Sequence, residues 1–181
     1  LIYLQKILLF MKVGVKVYSK DFEYAKKIAE YTDFIEILAL NQKHIEQFKQ
    51  LDIPFVIHCQ HEEQGVNFAN RSKHYANYAG FLIARKFADE LNSKRIVVHL
   101  GSQETNSCGI RNSLSFISKI DDSRVLIENT PLNTQKIFFG SRFEEIRAAL
   151  ELTKKRFCFD INHAFTSAIF LKMNPPEYYV C

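Results

Sequence analysis

Apolar residues gather along the chain in six short runs: KVGVKV (12–17), FIEILAL (34–40), FVIHCQ (55–60), RIVVHL (95–100), RVLIEN (124–129) and RFCFDI (156–161). Val, Ile and Phe dominate them and polar positions are few. That is the pattern of strands buried on both faces. Between the runs, apolar positions recur at helical spacing. Residues 21–31 and 45–51 read as short helices. Residues 68–91 read as a long one, with Tyr75, Tyr78, Ala79, Leu82, Ile83, Phe87 and Leu91 in one broad apolar stripe. Ser141 followed by Glu144 is a capping-box signature that opens a helix over 142–153, and 113–119 carries a weaker helical pattern.

Strands alternating with helices at a spacing of roughly 30 residues predict a parallel sheet with right-handed crossovers. Two architectures satisfy this. A doubly wound open sheet usually carries a glycine-rich turn after its first strand, but the turn here reads VYSKDFEY (17–24), without glycine. A closed barrel has eight units and typically ~250 residues. The expectation is therefore a (β/α)8 TIM barrel truncated to about six β/α units within the 181 residues, with an open six-stranded sheet as the alternative.

The decapeptide LIYLQKILLF (1–10) is apolar but too short to span a bilayer, and it lacks a signal-peptide cleavage pattern. Because a strand begins just after Met11, residues 1–10 are expected to be an upstream or non-native extension and residues 11–181 the partial barrel domain. With 47% hydrophobic and 24% charged residues, six Gly and four Pro, the composition excludes a disordered or low-complexity chain. A net charge of +4, mixed along the chain, permits a polyanionic partner without the dense basic patch of a dedicated nucleic-acid module. Cys59, Cys108, Cys158 and Cys181 form no CxxC pair, which fits reduced thiols in a cytoplasmic protein. Cys158 reads as core filler. Cys59 should face away from its neighbour His58, since successive strand residues alternate.

Four consecutive strand runs end in a metal-ligating residue type: His58, His99, Glu128 and Asp160. In a parallel barrel these ends converge on one mouth. Two imidazoles and a carboxylate can hold Zn²⁺ and leave a position for water. Asp160 then allows a second ion, with Glu128 as a possible bridge, and His163 can reach the same mouth from the loop. A lone strand-end histidine is more often a structural residue, but an ionised carboxylate buried at the end of an apolar strand needs a partner. That pattern occurs twice in succession here. His44 and His74 lie among polar neighbours, where exposure is the simpler reading. His61, followed by Glu62 and Glu63, either lines the mouth or belongs to a solvated loop. Glu36 and Lys16 lie inside strands with no role assigned.

The segments IHCQH, VVHLGS, LIENTP and FDINHAF, in that order and spacing, resemble the endonuclease IV branch (AP endonuclease family 2) of the xylose isomerase-like barrels. The resemblance runs from about Met11 to about Phe165. It implies a barrel with up to three Zn²⁺ ions. His58 and His99 would hold one ion, Glu128 would bridge to a second, Asp160 would bridge the second and third, and His163 would bind the third. That family carries a Tyr shortly after its first ligand histidine, which helps open DNA. CQHEEQG (59–65) stands there instead, and its carboxylates would repel phosphate. LNQKH (40–44) is faintly similar to the family's DNA-probing loop.

The resemblance implies a metal-dependent phosphodiesterase that hydrolyses DNA at abasic sites, with Glu128 catalytic. The alternatives are a sugar isomerase or epimerase of the same superfamily, holding Mn²⁺ or Mg²⁺ near the hydroxyls of a small sugar, and an inactive truncated fragment. No membrane segment and no organic-cofactor motif is expected.

Overall fold

Residues 12–132 and 135–172 are described by the computed structural model. Six strands form one parallel sheet in chain order: β1 (Gly14–Tyr18), β2 (Phe34–Leu38), β3 (Phe55–His58), β4 (Ile96–Val98), β5 (Val125–Glu128) and β6 (Arg156–Cys158). Each is followed by a helix: α1 (Phe22–Ile28), α2 (Ile45–Phe48), α3 (His74–Glu90), α4 (Ile110–Ile117), α5 (Phe143–Thr153) and α6 (Ile161–Phe170). Six β/α units in sequential parallel order are the first three-quarters of an α/β barrel. Among the described residues β1 and β6 each pair on one side only.

Period-two alternation separates the sheet into two faces. Val17, Ile35, Ile37, Ile57, Ile96, Val98, Val125 and Ile127 point outward and form one buried cluster with helix residues such as Phe48, Ala84, Phe87, Ile117 and Ala149. Leu38, Val56, Val97 and Leu126 alternate with them, are also buried, and belong to the opposite, inward face. Deeper on that face Lys16 and Glu36 are register partners and form an ion pair at 3.1 Å, which accounts for both charges inside strands.

Several local expectations need correction. The long helix begins at His74, after a 3-10 turn over Arg71–Lys73 in which the Asn70 side chain accepts from the Ser72 backbone N–H and hydroxyl. Its buried face is Asn77, Gly80, Phe81, Ala84, Phe87 and Ala88; of the expected stripe Phe87 lies on it and Ile83 and Leu91 pack at its margin, but the tyrosines do not. Tyr75 is 89% exposed and Tyr78 is also exposed. The small residues on this face permit close approach, as at Gly80, where a Cβ would come 2.5 Å from Val66, a packing signal that a count of large apolar residues misses. The capping box does not form. Arg142 is the N-cap with no side-chain bond, Ser141 Oγ donates to Phe138 O, and Glu145, not Glu144, accepts from the Gly140 N–H at 2.8 Å. β6 ends at Cys158, and Ile161 opens α6, a helix the apolar run concealed. Being at the sheet edge, Cys158 is half-buried rather than core, and Phe157, Phe159 and Ile161 are exposed. The weaker helix forms as α4, displaced toward the N-terminus. Residues 1–10 and Cys181 lie outside the described residues.

The burial difference on α3 is measurable. Phe81→Ala removes a buried ring and should lower the unfolding free energy by about 3–5 kcal/mol. Tyr75→Ala should change it by no more than about 0.5 kcal/mol. Urea denaturation of both variants checks this, and a larger cost at Tyr75 would contradict the assignment of faces.

Candidate metal centre

Strand register carries the site. His58 pairs with Val97, and Val97 with Leu126. His99 lies two residues beyond Val97 and Glu128 two beyond Leu126, so both share the inward face with His58. Glu128 pairs with Cys158, and Asp160 follows two residues later. Four residues from four consecutive strand ends thus reach one rim.

Their side chains meet. Glu128 Oε2 lies 2.7 Å from His99 Nε2 and 3.1 Å from His58 Nε2. One ligand atom from each of His58, His99 and Glu128 falls within 4.8 Å of the others, and the same holds for Glu128, Asp160 and His163. Glu128 is common to both groups. Asp160 caps α6, accepting the His163 N–H at 2.8 Å, and its own backbone is clamped by the Asn129 side chain at 2.7 and 2.8 Å.

The proton positions fit a cation. His58 is fully buried, and burial pushes its imidazole below the ordinary histidine range, so the ring is neutral. Its Nδ1 lies 2.7 Å from the Cys59 carbonyl, which can only accept, so Nδ1 carries the proton. The Nε2 lone pair therefore faces a carboxylate oxygen. Burial opposes ionisation of Glu128, but hydrogen bonding to imidazole holds the carboxyl below the usual carboxylate range, and with the His58 proton on Nδ1 the metal-free donor is His99 at 2.7 Å. Two acceptors facing one another in a buried site repel unless a cation sits between them. His163 Nδ1 likewise donates to the Asn129 carbonyl at 2.8 Å, leaving Nε2 of its neutral form available. Imidazoles tied to backbone through one nitrogen and free at the other are the usual arrangement of metal ligands.

The loops that carry these residues are braced by Asn67. Its Oδ1 accepts from the N–H groups of Ala69 and Ser102 at 3.0 and 3.1 Å, and its Nδ2 donates to the Ser102 carbonyl at 2.9 Å. Gly101, at φ +94°, has no room for a Cβ, which would come 2.3 Å from Asn67 Oδ1. This explains the glycine of VVHLGS. Nothing in the local pattern marks Asn67 as a brace, because its partners are distant in sequence.

His61 and Glu62 were underrated by the sequence. His61 stacks on His99 with ring centroids 5.1 Å apart and stands edge-on to His58 at 5.8 Å. Burial lowers its pKa to about 3. Glu62 is buried, with its side chain only 2% exposed, so Glu63 alone presents its charge to solvent in this loop. Cys59 packs in the outer core, away from the site as expected. Among the described residues no helix is long and apolar enough to cross a membrane.

Fold and site together define a barrel of the xylose isomerase-like type whose rim gathers His and Glu groups able to hold a metal ion. No protein-family model and no curated protein matches the sequence. Solved structures do match. A D-tagatose 3-epimerase-like protein is 25% identical, with a TM-score of 0.65 over 93% of this chain and 70% of that one. Endonuclease IV from Thermus thermophilus is 21% identical, with a TM-score of 0.63 over 94% and 70%. An AP endonuclease, family 2, from Brucella melitensis is 14% identical, with a TM-score of 0.64 over 83% and 68%.

The buried imidazoles set a pH dependence. His58 and His61 are neutral when folded, while in the unfolded chain they take up protons below about pH 6.5. Their contribution is complete above that value and declines as the pH falls below it. Glu128 adds a loss below its ordinary value of 4.5. The urea midpoint of the metal-free protein should be lower at about pH 5 than at about pH 7.5, and His61→Phe should flatten the difference. An unchanged or higher midpoint at the acid pH would contradict neutral burial.

Proposed function

We propose that the chain is the metal-holding part of a divalent-metal-dependent phosphodiesterase acting on DNA at abasic sites, with zinc as its ion. The observation that supports this is the sharing of Glu128 between two ligand groups, His58 with His99 on one side and Asp160 with His163 on the other. A phosphodiester displacement develops charge on both the attacking and the leaving oxygen, and adjacent ligand groups joined by one carboxylate suit that demand. Imidazole-rich sets suit zinc, whereas oxygen-only sets suit Mg²⁺ or Mn²⁺. Bound divalent ions supply Lewis acidity and bring the pKa of water toward neutrality. His58 and His99 present Nε2 to this position. Glu128 is the catalytic residue, orienting the attacking water between the two groups. Asp160 and His163 hold the far side, fixed by Asn129. With Glu62 buried, the loop after β3 offers phosphate only one exposed carboxylate, Glu63.

A second reading, a sugar epimerase using one Mn²⁺ or Mg²⁺, is favoured by a different observation. The D-tagatose 3-epimerase-like protein is 25% identical over 93% of this chain, against 21% over 94% for the endonuclease IV from Thermus thermophilus.

The discriminating assay is incision of a duplex with a single abasic site by the zinc-loaded chain. Strand cleavage is expected, with Glu128→Gln reducing the rate at least about 100-fold. More than one zinc per chain should accompany it. Absence of incision with metal bound, together with epimerisation of a ketose, would overturn the phosphodiesterase reading in favour of the second.

A further inference from the structure

Two of the rim histidines have Nδ1 tied to the backbone, and His99 does not. His58 and His163 each give Nδ1–H to a backbone carbonyl. His99 turns Nε2 to Glu128, while its Nδ1 is buried and has no partner. Among the described residues one other buried side-chain atom is in the same position, Glu62 Oε1. The first is a donor when Nε2 is the ligand, and the second is an acceptor. Glu62 and His99, with His61, Asn67 and Gly101, line one small gap that has no room for a water molecule. Ligand atoms of His61, Glu62 and His99 lie within 4.8 Å of one another. Each orphan left unpaired would bear the full desolvation of a buried polar atom. A donor and an acceptor left over at one gap without water are each the partner the other lacks.

We propose that Glu62 is a positioning residue: its carboxylate accepts Nδ1–H of His99 and so holds the tautomer that turns the His99 Nε2 lone pair to the cation shared with His58 and Glu128. The last torsion of a glutamate is soft, so the carboxyl can turn toward Nδ1 without leaving its rotamer. The His61 ring lies over His99 and excludes solvent from the pair. A second ion bound by His61, Glu62 and His99 is disfavoured, because His99 would have to give up both ring protons to ligate two ions. The inference rests on the reading of the rim as a metal centre, and it explains why a carboxylate is buried in a loop that otherwise faces solvent.

The test is Zn²⁺ affinity by competition with a chromophoric chelator, using the full chain as wild type, Glu62→Leu, Glu62→Gln and Glu128→Gln. Ring-nitrogen NMR of the zinc-loaded proteins is recorded in parallel. Glu62→Leu, close in volume but without an acceptor, should weaken binding about 10- to 100-fold with the zinc stoichiometry unchanged. The slowly exchanging imidazole N–H resonance of His99 should disappear with it. Glu62→Gln keeps an acceptor oxygen and should lose less affinity while retaining that resonance. It also serves if the leucine variant fails to fold. Wild-type affinity in Glu62→Leu, or loss of a zinc equivalent with the remaining affinity unchanged, would overturn the positioning role. In the second case Glu62 is itself a ligand. If the wild type binds no zinc, the metal-centre reading fails and takes this inference with it, an outcome distinct from tight wild-type binding that Glu62→Leu leaves unaltered.

Discussion

A carboxylate buried against imidazole lone pairs is the constraint around which the rim is organised. Glu128 is ionised, almost fully enclosed, and within 3.1 Å of two ring nitrogens, one of which has its proton pinned to the far side by the Cys59 carbonyl. Hydrogen bonds among these groups cannot satisfy all of them at once, because acceptors outnumber the protons that can be placed between them. A divalent cation can. Much of the surrounding architecture serves to hold this arrangement: the strand register that brings three ends level, the Asn67 brace, and Gly101 in a backbone conformation that side chains rarely adopt.

What the barrel supplies is convergence. Each β/α unit is local in sequence, with its helix packing on the outward face of the strand beside it, as the cluster linking Ile37, Ile57 and Ile96 to Phe48 and Phe87 illustrates. The inward face is then free to change its chemistry without disturbing that core. Epimerases and endonucleases among the matching structures share this fold. The chemistry of a given chain therefore lies in which side chains stand at the strand ends and in how their protons are placed.

Much of this was legible in the sequence. The six apolar runs sit on the six strands because a strand covered on both faces must be apolar throughout. The ligand residues stood out because a charged or imidazole group at the end of such a run breaks the pattern. Errors arose where the signal was not one of hydrophobicity. The buried face of α3 is built on Gly80, Ala84 and Ala88, which permit close approach, while Tyr75 points to solvent. The helix from Ile161 begins inside an apolar run, so its start leaves no mark in that pattern. His61 and Glu62 occupy a loop of polar composition, and their burial follows from its folding back against His99. Residue spacing does not encode that contact.

X-ray absorption at the zinc edge of the zinc-loaded chain tests the central claim most directly. The account predicts a first shell of nitrogen and oxygen only, at about 2.0–2.1 Å, with the outer-shell scattering of at least two imidazoles. A first shell containing sulfur at about 2.3 Å, or one without imidazole scattering, would place the ion elsewhere and contradict it.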